Sequence, residues 1–419
     1  MIDDRTARQE ECRVGWIKHK CKGTLEACTG FGKTRVGIDC IKSILKVDPD
    51  KTVLIVVPTT ALKDQWLSLL DSQGLSLNCT VEVINTVIKH EYTCDLVVID
   101  EIHRVFAETF KKVFEKVRYS MILGLTATIE RLDGKHVLIN KFCPVFDRIT
   151  LAEAQLKGWV SAFKEYQVIL DVDDIDIYKE YNKSFTEHFE FFGFSFDRAL
   201  KCVGKDGFKE RAKLRDEMCP NGTEEERKRV FKNINYHAIG FTKAIQQRKA
   251  FINNHPKKLE VARRIIEAFP DKKIITFSNN VKMAESIGIG YVYTGRDSKK
   301  KGRITLEEFS KLPSGVLSSV RKADEGLDLP GLSIAIMLGI DSSKIKATQR
   351  VGRVVRREGD KEAMIFNLII NSTVETKWFE NSHIEGQYIT IDENGLNDIL
   401  QGKEPKPYIK NIPKFTFRY

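Results

Sequence analysis

The 419-residue chain has no uninterrupted apolar stretch long enough to cross a bilayer. Runs such as Val53–Val57 and Ile334–Ile340 fall far short of the roughly 20 residues a spanning helix needs. Proline occupies only 11 positions, and there is no Gly/Ser-rich or Pro-rich linker and no internal repeat. A collagen-like, low-complexity or solenoid chain is thereby excluded. The nine cysteines (12, 21, 28, 40, 79, 94, 143, 202 and 219) are odd in number and include no Cys-x-x-Cys pair. That pattern argues against a metal cluster or a disulfide scaffold and for free buried thiols in a reducing compartment. The start, MIDDRTARQEE, is polar and acidic with no secretory apolar segment, so the chain is expected to remain where it is made.

What is present is ample core material. Apolar residues make up 42% and charged residues 30%, a globular composition that at roughly 100–200 residues per domain implies two to four domains. Lys and Arg number 68 against 58 Asp and Glu, a net charge of +10. That balance favours a polyanionic partner.

From Gly23 to about Ile149, short β-rich runs alternate with helical patterns. Gly23–Ala27, Val53–Val57, Val81–Asn85, Leu96–Ile99 and Met121–Leu125 read as strands, with Thr34–Lys46 and Thr60–Leu70 as helices between them. Continuous rather than alternating apolar strands predict a parallel sheet covered on both faces. A second series of the same class begins near Lys257: Ile274–Phe277, Gly290–Tyr293, Gly315–Ser318, Ile334–Leu338 and Ala363–Ile370. The fold class is therefore α/β, two parallel-sheet domains in tandem. The expected boundaries are 1–155 for the first domain, 172–254 for a mainly helical insertion and 255–419 for the second domain with a basic tail. In the insertion, Phe185, Phe189 and Phe192 have i, i+4, i+7 spacing and are expected to form a small core. Between Arg198 and Lys232 it concentrates eleven basic and seven acidic residues, and it is expected to touch nucleic acid.

Ala27-Cys-Thr29-Gly30-Phe-Gly32-Lys33-Thr34 follows a strand and opens a helix. Glycines at 30 and 32 let backbone N–H groups approach phosphate oxygens with no Cβ in the way. The helix N-terminus adds favourable partial charge. Lys33 suits the β/γ-phosphates and Thr34 suits Mg²⁺. Asp100-Glu101-Ile102-His103 follows the apolar run Leu96–Ile99, so two carboxylates emerge at a strand end, where ligands bind in open α/β sheets. Asp100 suits Mg²⁺, and Glu101 suits the attacking water. Gly124–Thr128 (GLTAT) places Thr126 and Thr128 at another strand end. Gln349-Arg-Val-Gly-Arg353-Val-Val-Arg356-Arg357 sets two arginines three apart, on one face if helical. Arginine forks bidentately onto phosphate.

These blocks, in this order, resemble the motifs of a superfamily 2 helicase, with Pro58–Trp66 similar to motif Ia and Ala323–Pro330 (ADEGLDLP) to motif V. GLTATIERLDG resembles the XPB-type and phage branch-migrating helicases most. The resemblance implies two RecA-like domains with ATP between them and single-stranded nucleic acid across their top. It assigns Lys33, Thr34, Asp100, Thr29, Gly30, Gly32, Gly326 and Asp328 to MgATP and Glu101 to water activation. Arg353 and Arg356 become fingers on transition-state charge, and Thr126, Thr128 and Gln349 couple hydrolysis to movement. Gln9 stands where the family's glutamine reads adenine, and Arg8 stands where the family has a base-stacking aromatic. The expected activity is ATP-dependent unwinding or remodelling of branched or forked DNA in replication, recombination or repair. RNA remains a possible substrate, as does remodelling without strand separation. A monomer without membrane attachment is expected, in the cytoplasm, at the nucleoid or in a host's cytoplasm if the source is viral.

Overall fold

The computed structural model describes residues 4–104, 112–128, 142–204, 206–294, 296–320, 329–340, 362–383, 388–406 and 408. Six strands form the first sheet: β1 (Lys22–Ala27), β2 (Val53–Val57), β3 (Cys79–Val83), β5 (Leu96–Asp100), β7 (Met121–Thr126) and β8 (Val145–Ile149). Their order is β3-β2-β5-β7-β1-β8, and every neighbouring pair is parallel. Between them, β4 (Tyr92–Thr93) and β6 (Val117–Arg118) make a separate two-stranded ladder. β2 and β5 are buried along their whole length, as their unbroken apolar runs require.

The topology brings the site together. β5, β7 and β1 are adjacent, with Asp100 opposite Leu125 and Thr126 opposite Glu26. Parallel pairing then delivers Asp100, Thr126 and the loop after Ala27 to one edge. Two helices flank that loop: α1 (Asp4–Lys18) precedes β1, and α2 (Lys33–Val47) follows it. A third, α3 (Thr60–Ser72), starts at Thr59, whose hydroxyl accepts from the Leu62 N–H at 3.3 Å.

The second sheet has seven strands in the order β11-β12-β10-β13-β14-β9-β15. They are β9 (Phe163–Leu170), β10 (Lys273–Ser278), β11 (Tyr291–Tyr293), β12 (Gly315–Val320), β13 (Leu332–Met337), β14 (Ala363–Ile370) and β15 (Ile389–Ile391). The pairs β10–β12, β10–β13, β11–β12 and β13–β14 are parallel. Two parallel sheets in tandem agree with the expected fold class. The departures have local causes. The expected strand Val81–Asn85 ends early, because Ile84–Val87 turns into a short helix that packs Ile84 and Val87 into the core. β9 escapes a hydrophobic reading because it carries Glu165 and Gln167, both buried. Glu165 is tolerated there because its carboxylate accepts from Asn367 at 2.9 Å and lies 3.1 Å from His383 Nε2.

The insertion contains helices Ile175–Phe191, Phe196–Val203, Gly207–Met218 and Glu224–Asn254. Phe189, Phe192, Ala199, Cys202, Leu214, Ile234, Ala238 and Phe241 form its core, with Phe185 packed against it, so the phenylalanine spacing is a core stripe as expected. The long helix begins with a capping box between Thr223 and Glu226. By compactness, one unit comprises Met1–Gln167, Ile265–Asn367 and Lys377–Ile389, and the other Val168–Arg264, Leu368–Thr376 and Thr390–Tyr419. The division runs through β9 and β14, so the insertion helices are grouped with the ends of those strands. All nine cysteines are free, and seven are buried. Of the basic tail, Tyr408 donates its N–H to the Thr390 carbonyl at 2.9 Å, and 409–419 lie outside the described residues.

Candidate active site

The loop between β1 and α2 is built on two left-handed glycines, Gly30 at φ 90° and Gly32 at φ 101°. A side chain at Gly32 would be strained by its backbone and would also meet Gln9 Nε2 at 2.5 Å. Gly32 caps α2 without any side-chain hydrogen bond. The Arg35 N–H turns back to the Gly32 carbonyl at 2.9 Å, while the Lys33 and Thr34 N–H groups have no acceptor among the described residues, the property that suits a helix start to phosphate. Lys33 opens the helix, and its ammonium donates to the Ala27 carbonyl at 3.0 Å, folded over the loop it follows. Thr34 is the second residue of the same turn and half-buried. Thr29 and Gly30 lie on the loop.

Gln9 comes from α1 and is buried, with its side-chain amide donating to the Phe31 carbonyl at 2.7 Å. This places it against the loop, as its proposed role requires. Arg8 does something different from the aromatic it replaces. Its guanidinium makes a bidentate bridge to Asp147 on β8, both bonds 2.7 Å, and that carboxylate raises the Arg8 pKa further. It is a strut between α1 and the sheet edge.

Asp100 ends β5 and is buried. Its two oxygens accept from the Trp66 indole N–H at 2.9 Å and from the Glu101 backbone N–H at 3.0 Å. Burial, and then the adjoining Glu101 carboxylate, push its pKa up to about 6. A carboxylate kept here against its own desolvation is suited to a cation. Glu101 has φ 52°, a left-handed conformation that costs a non-glycine residue about 1–3 kcal/mol. Its Oε2 is buried with no hydrogen-bond partner, although His103 Nδ1 lies 3.3 Å away.

His103 extends the network. Its Nδ1 is 2.9 Å from Thr126 Oγ1, and Thr126 in turn donates to the Thr128 carbonyl at 2.8 Å. Because the Thr126 proton is used on Thr128, its oxygen must accept from His103, which fixes the proton on Nδ1. A polar chain thus joins the end of β5 to the end of β7, so Thr126 and Thr128 meet the Asp100–Glu101 pair.

The donor set fits MgATP. Two glycines hold a Cβ-free approach, a helix start is left open, Lys33 stands over the loop, and one buried carboxylate oxygen is unsatisfied. Thr34 and Asp100 would hold the metal. Gly326, Asp328, Gln349, Arg353 and Arg356 lie outside the described residues. Sequence reasoning missed Trp66 as the donor that aims Asp100, since one tryptophan on an apolar helix face has the spacing of an ordinary core residue. It also missed the role of His103 and the Arg8–Asp147 bridge, whose partners are 139 positions apart.

Residues 4–91 and 75–131 match the family model described as type III restriction enzyme, res subunit, and residues 257–358 match the helicase conserved C-terminal domain. A "DNA 3'-5' translocase XPB2" from Sulfurisphaera tokodaii is 27% identical over 88% of this chain and 82% of its own length. "Putative helicase 22" of a Sulfolobus islandicus filamentous virus is 23% identical over 89% of this chain, matched along 64% of its length. "Putative ATP-dependent RNA helicase QP509L" of African swine fever virus is 32% identical over 33% of this chain and 31% of its own. In fold, the chain resembles the Pyrococcus furiosus Hef helicase domain (TM-score 0.50, 19% identity, 90% and 98% of the two chains). It also resembles Saccharomyces cerevisiae Dbp5 bound to RNA and ADP BeF3 (TM-score 0.57, 12% identity, 94% and 91%).

Proposed function

Because the chain belongs to the superfamily 2 helicases, of the XPB-like kind, and is an ATP-hydrolysing enzyme, we propose that it is a DNA translocase or helicase acting on branched or forked DNA. The observation that carries the reading is the strand-end network. It holds a strained Glu101 beside the buried Asp100, with His103 Nδ1 3.3 Å from the unsatisfied Glu101 oxygen and bonded to Thr126, which in turn reaches Thr128. In this reading the phosphates lie on the loop at Gly30–Thr34, and Lys33 turns from the Ala27 carbonyl to meet them. Mg²⁺ supplies charge neutralisation on the phosphates, held by Thr34 and Asp100. Glu101 orients a water and takes its proton. Gln9 reads the base, Gly326 and Asp328 contact the nucleotide, and Arg353 and Arg356 stabilise the charge that builds up in transfer. Thr126, Thr128 and Gln349 pass the change on to the grip on DNA.

DNA is favoured over RNA by identity along the chain: the match to a DNA translocase is 27% identical over 88% of it, against 24% over 93% for a putative RNA helicase of Acanthamoeba polyphaga mimivirus. The domain division 1–155, 172–254 and 255–419 belongs to the same proposal, with the insertion as the added DNA contact. Along its long helix, Lys232, Tyr236, Ile239 and Lys243 recur at three- and four-residue spacing and share one face. Tyr236 is 63% and Ile239 60% exposed, and neither lysine has an acidic partner among the described residues. A cationic stripe with an aromatic at its centre suits a phosphate backbone with a base stacked on it. Roles in replication, recombination or repair are the contexts in which such DNA arises.

The test is the ATPase rate with single-stranded, duplex, forked and four-way DNA and with RNA, beside a strand-displacement assay. Forked or four-way DNA should stimulate most. Strongest stimulation by RNA would replace DNA by RNA as substrate. Stimulation and translocation without displacement would make it a nucleoprotein remodeller.

A further inference from the structure

We infer that Trp159 is a positioning residue through which the phosphate loop moves the second sheet, an inference that rests on that loop being the ATP site. Trp159 is buried, 3% exposed, and its ring lies 5.6 Å from that of Phe31, the residue between the two left-handed glycines. The next residue, Val160, is equally buried, and a Cβ placed on Gly30 would meet its Cγ1 at 3.1 Å. Together they form the wall against which the loop rests.

The wall is held from its other side by α1. The Trp159 indole N–H donates to Asp4 Oδ2 at 3.1 Å, and its carbonyl accepts from Arg5 at 3.2 Å. The same helix supplies Gln9 to the Phe31 carbonyl. The base-reading helix, the phosphate loop and the wall are thus one packed assembly with hydrogen bonds at each joint.

The chain then leaves for the second sheet almost at once. The Ala162 carbonyl accepts from the N–H of Ala363, the first residue of β14, at 2.8 Å. At roughly 3.3–3.6 Å per extended residue, the step from Val160 to Ala162 spans about 7 Å at most, and this leaves no slack. Phosphates entering the loop press Phe31 and Gly30 towards Trp159 and Val160, which lie against them. A close-packed wall transmits such a shift instead of absorbing it. Its outlet is the start of β9. Nothing in this path needs the metal, so a nucleoside diphosphate alone should drive it.

Two measurements test this on the full chain. In Trp159→Ala, the ratio of nucleic-acid-stimulated to basal ATPase rate should fall about tenfold while the KM for ATP moves about twofold or less, a coupling loss in the usual range. Trp159→Phe keeps a ring on Phe31 and should restore the ratio. A core residue without this role would lower thermal stability and leave the ratio alone. The second measurement does not depend on Trp159→Ala folding. The fluorescence change on adding ADP, taken as wild type minus Trp159→Phe, isolates Trp159 from the other three of the 4 tryptophans, and it should be clearly non-zero. An unchanged ratio in a folded Trp159→Ala, or a flat difference spectrum, overturns the inference. Lys33→Ala run alongside separates the two levels. If it still hydrolyses ATP, the site assignment itself is wrong. If it is inactive while the Trp159 results are negative, only the coupling role is lost.

Discussion

Charged groups of the first sheet and of the insertion belong to the same residue types but are held differently. Asp100 is fixed by an indole N–H and a backbone N–H. Asp95, at the start of β5, takes the Thr52 N–H at 2.9 Å besides Lys51 at 2.8 Å. In the insertion, apart from Glu226 in the capping box and Arg211 on the Cys202 carbonyl, many partners are other flexible, exposed side chains: Arg198 with Glu217, Lys201 with Asp197, Lys228 with Glu224, and Arg227 with Asp216. Donors from the backbone or from a buried ring cannot move away, so they fix where a charge points. Exposed ion pairs are worth about 0–1 kcal/mol and can be exchanged for a phosphate. Chemistry that needs a charge within a fraction of an ångström belongs in the first setting, and adaptable contact in the second.

The sharpest way to break this contrast is at Glu101. Glu101→Gln should bind MgATP but hydrolyse it about 10²–10⁴-fold more slowly, as for a lost general base. Single-turnover kinetics alongside nucleotide binding distinguish this from a structural role. Glu101→Asn should lose as much activity yet melt at a higher temperature, because asparagine tolerates the left-handed backbone at less cost.

Trp66→Phe preserves the packing of α3 while deleting the donor to Asp100. A roughly 10–100-fold loss in Mg²⁺-dependent rate is expected, the usual cost of removing a group that orients a metal ligand. A loss that excess Mg²⁺ does not reduce would show that the indole acts through packing alone.

Asp95 tests the backbone-held charge by pH. Lys51, and then the Thr52 N–H, hold its carboxyl well below the usual range, at about 2. A depressed carboxylate adds stability above its unfolded value, near about 3.9, and loses it as pH falls toward the folded value. Asp95→Asn should therefore melt below wild type at neutral pH, and the gap should close between about pH 4 and pH 2. A gap independent of pH would point to packing.

The smallest effect is expected in the insertion. Arg198→Ala breaks an exposed pair and should change stability by about 1 kcal/mol or less, read by denaturant melting. A larger loss would mean that these pairs hold the helices together, and the contrast with the first sheet would weaken.

The glycine loop after Ala27 and the acidic strand end were legible because their geometry is local. Gly30, Gly32, Lys33 and Thr34 share a backbone shape and a helix start that eight consecutive residues create. Asp100 and Glu101 stand out because they end an apolar run. The phenylalanine stripe of the insertion was legible for the same reason, since helical spacing alone puts Phe185, Phe189 and Phe192 on one face. β9 was not legible, because Glu165 is acceptable inside a sheet only when Asn367 and His383 are beside it, some 200 positions later.

By itself the sequence determined the parallel strands, the loop that suits phosphate and the carboxylates at a strand end, since each depends on neighbours within a few residues. Only the tertiary structure decided what those groups are bonded to. Trp66 became the donor to Asp100, Arg8 a strut to Asp147, and Trp159 a wall for the loop. These pairings depend on which strands lie side by side, and strand order is set by the packing of the whole sheet, not by any one segment's own preferences.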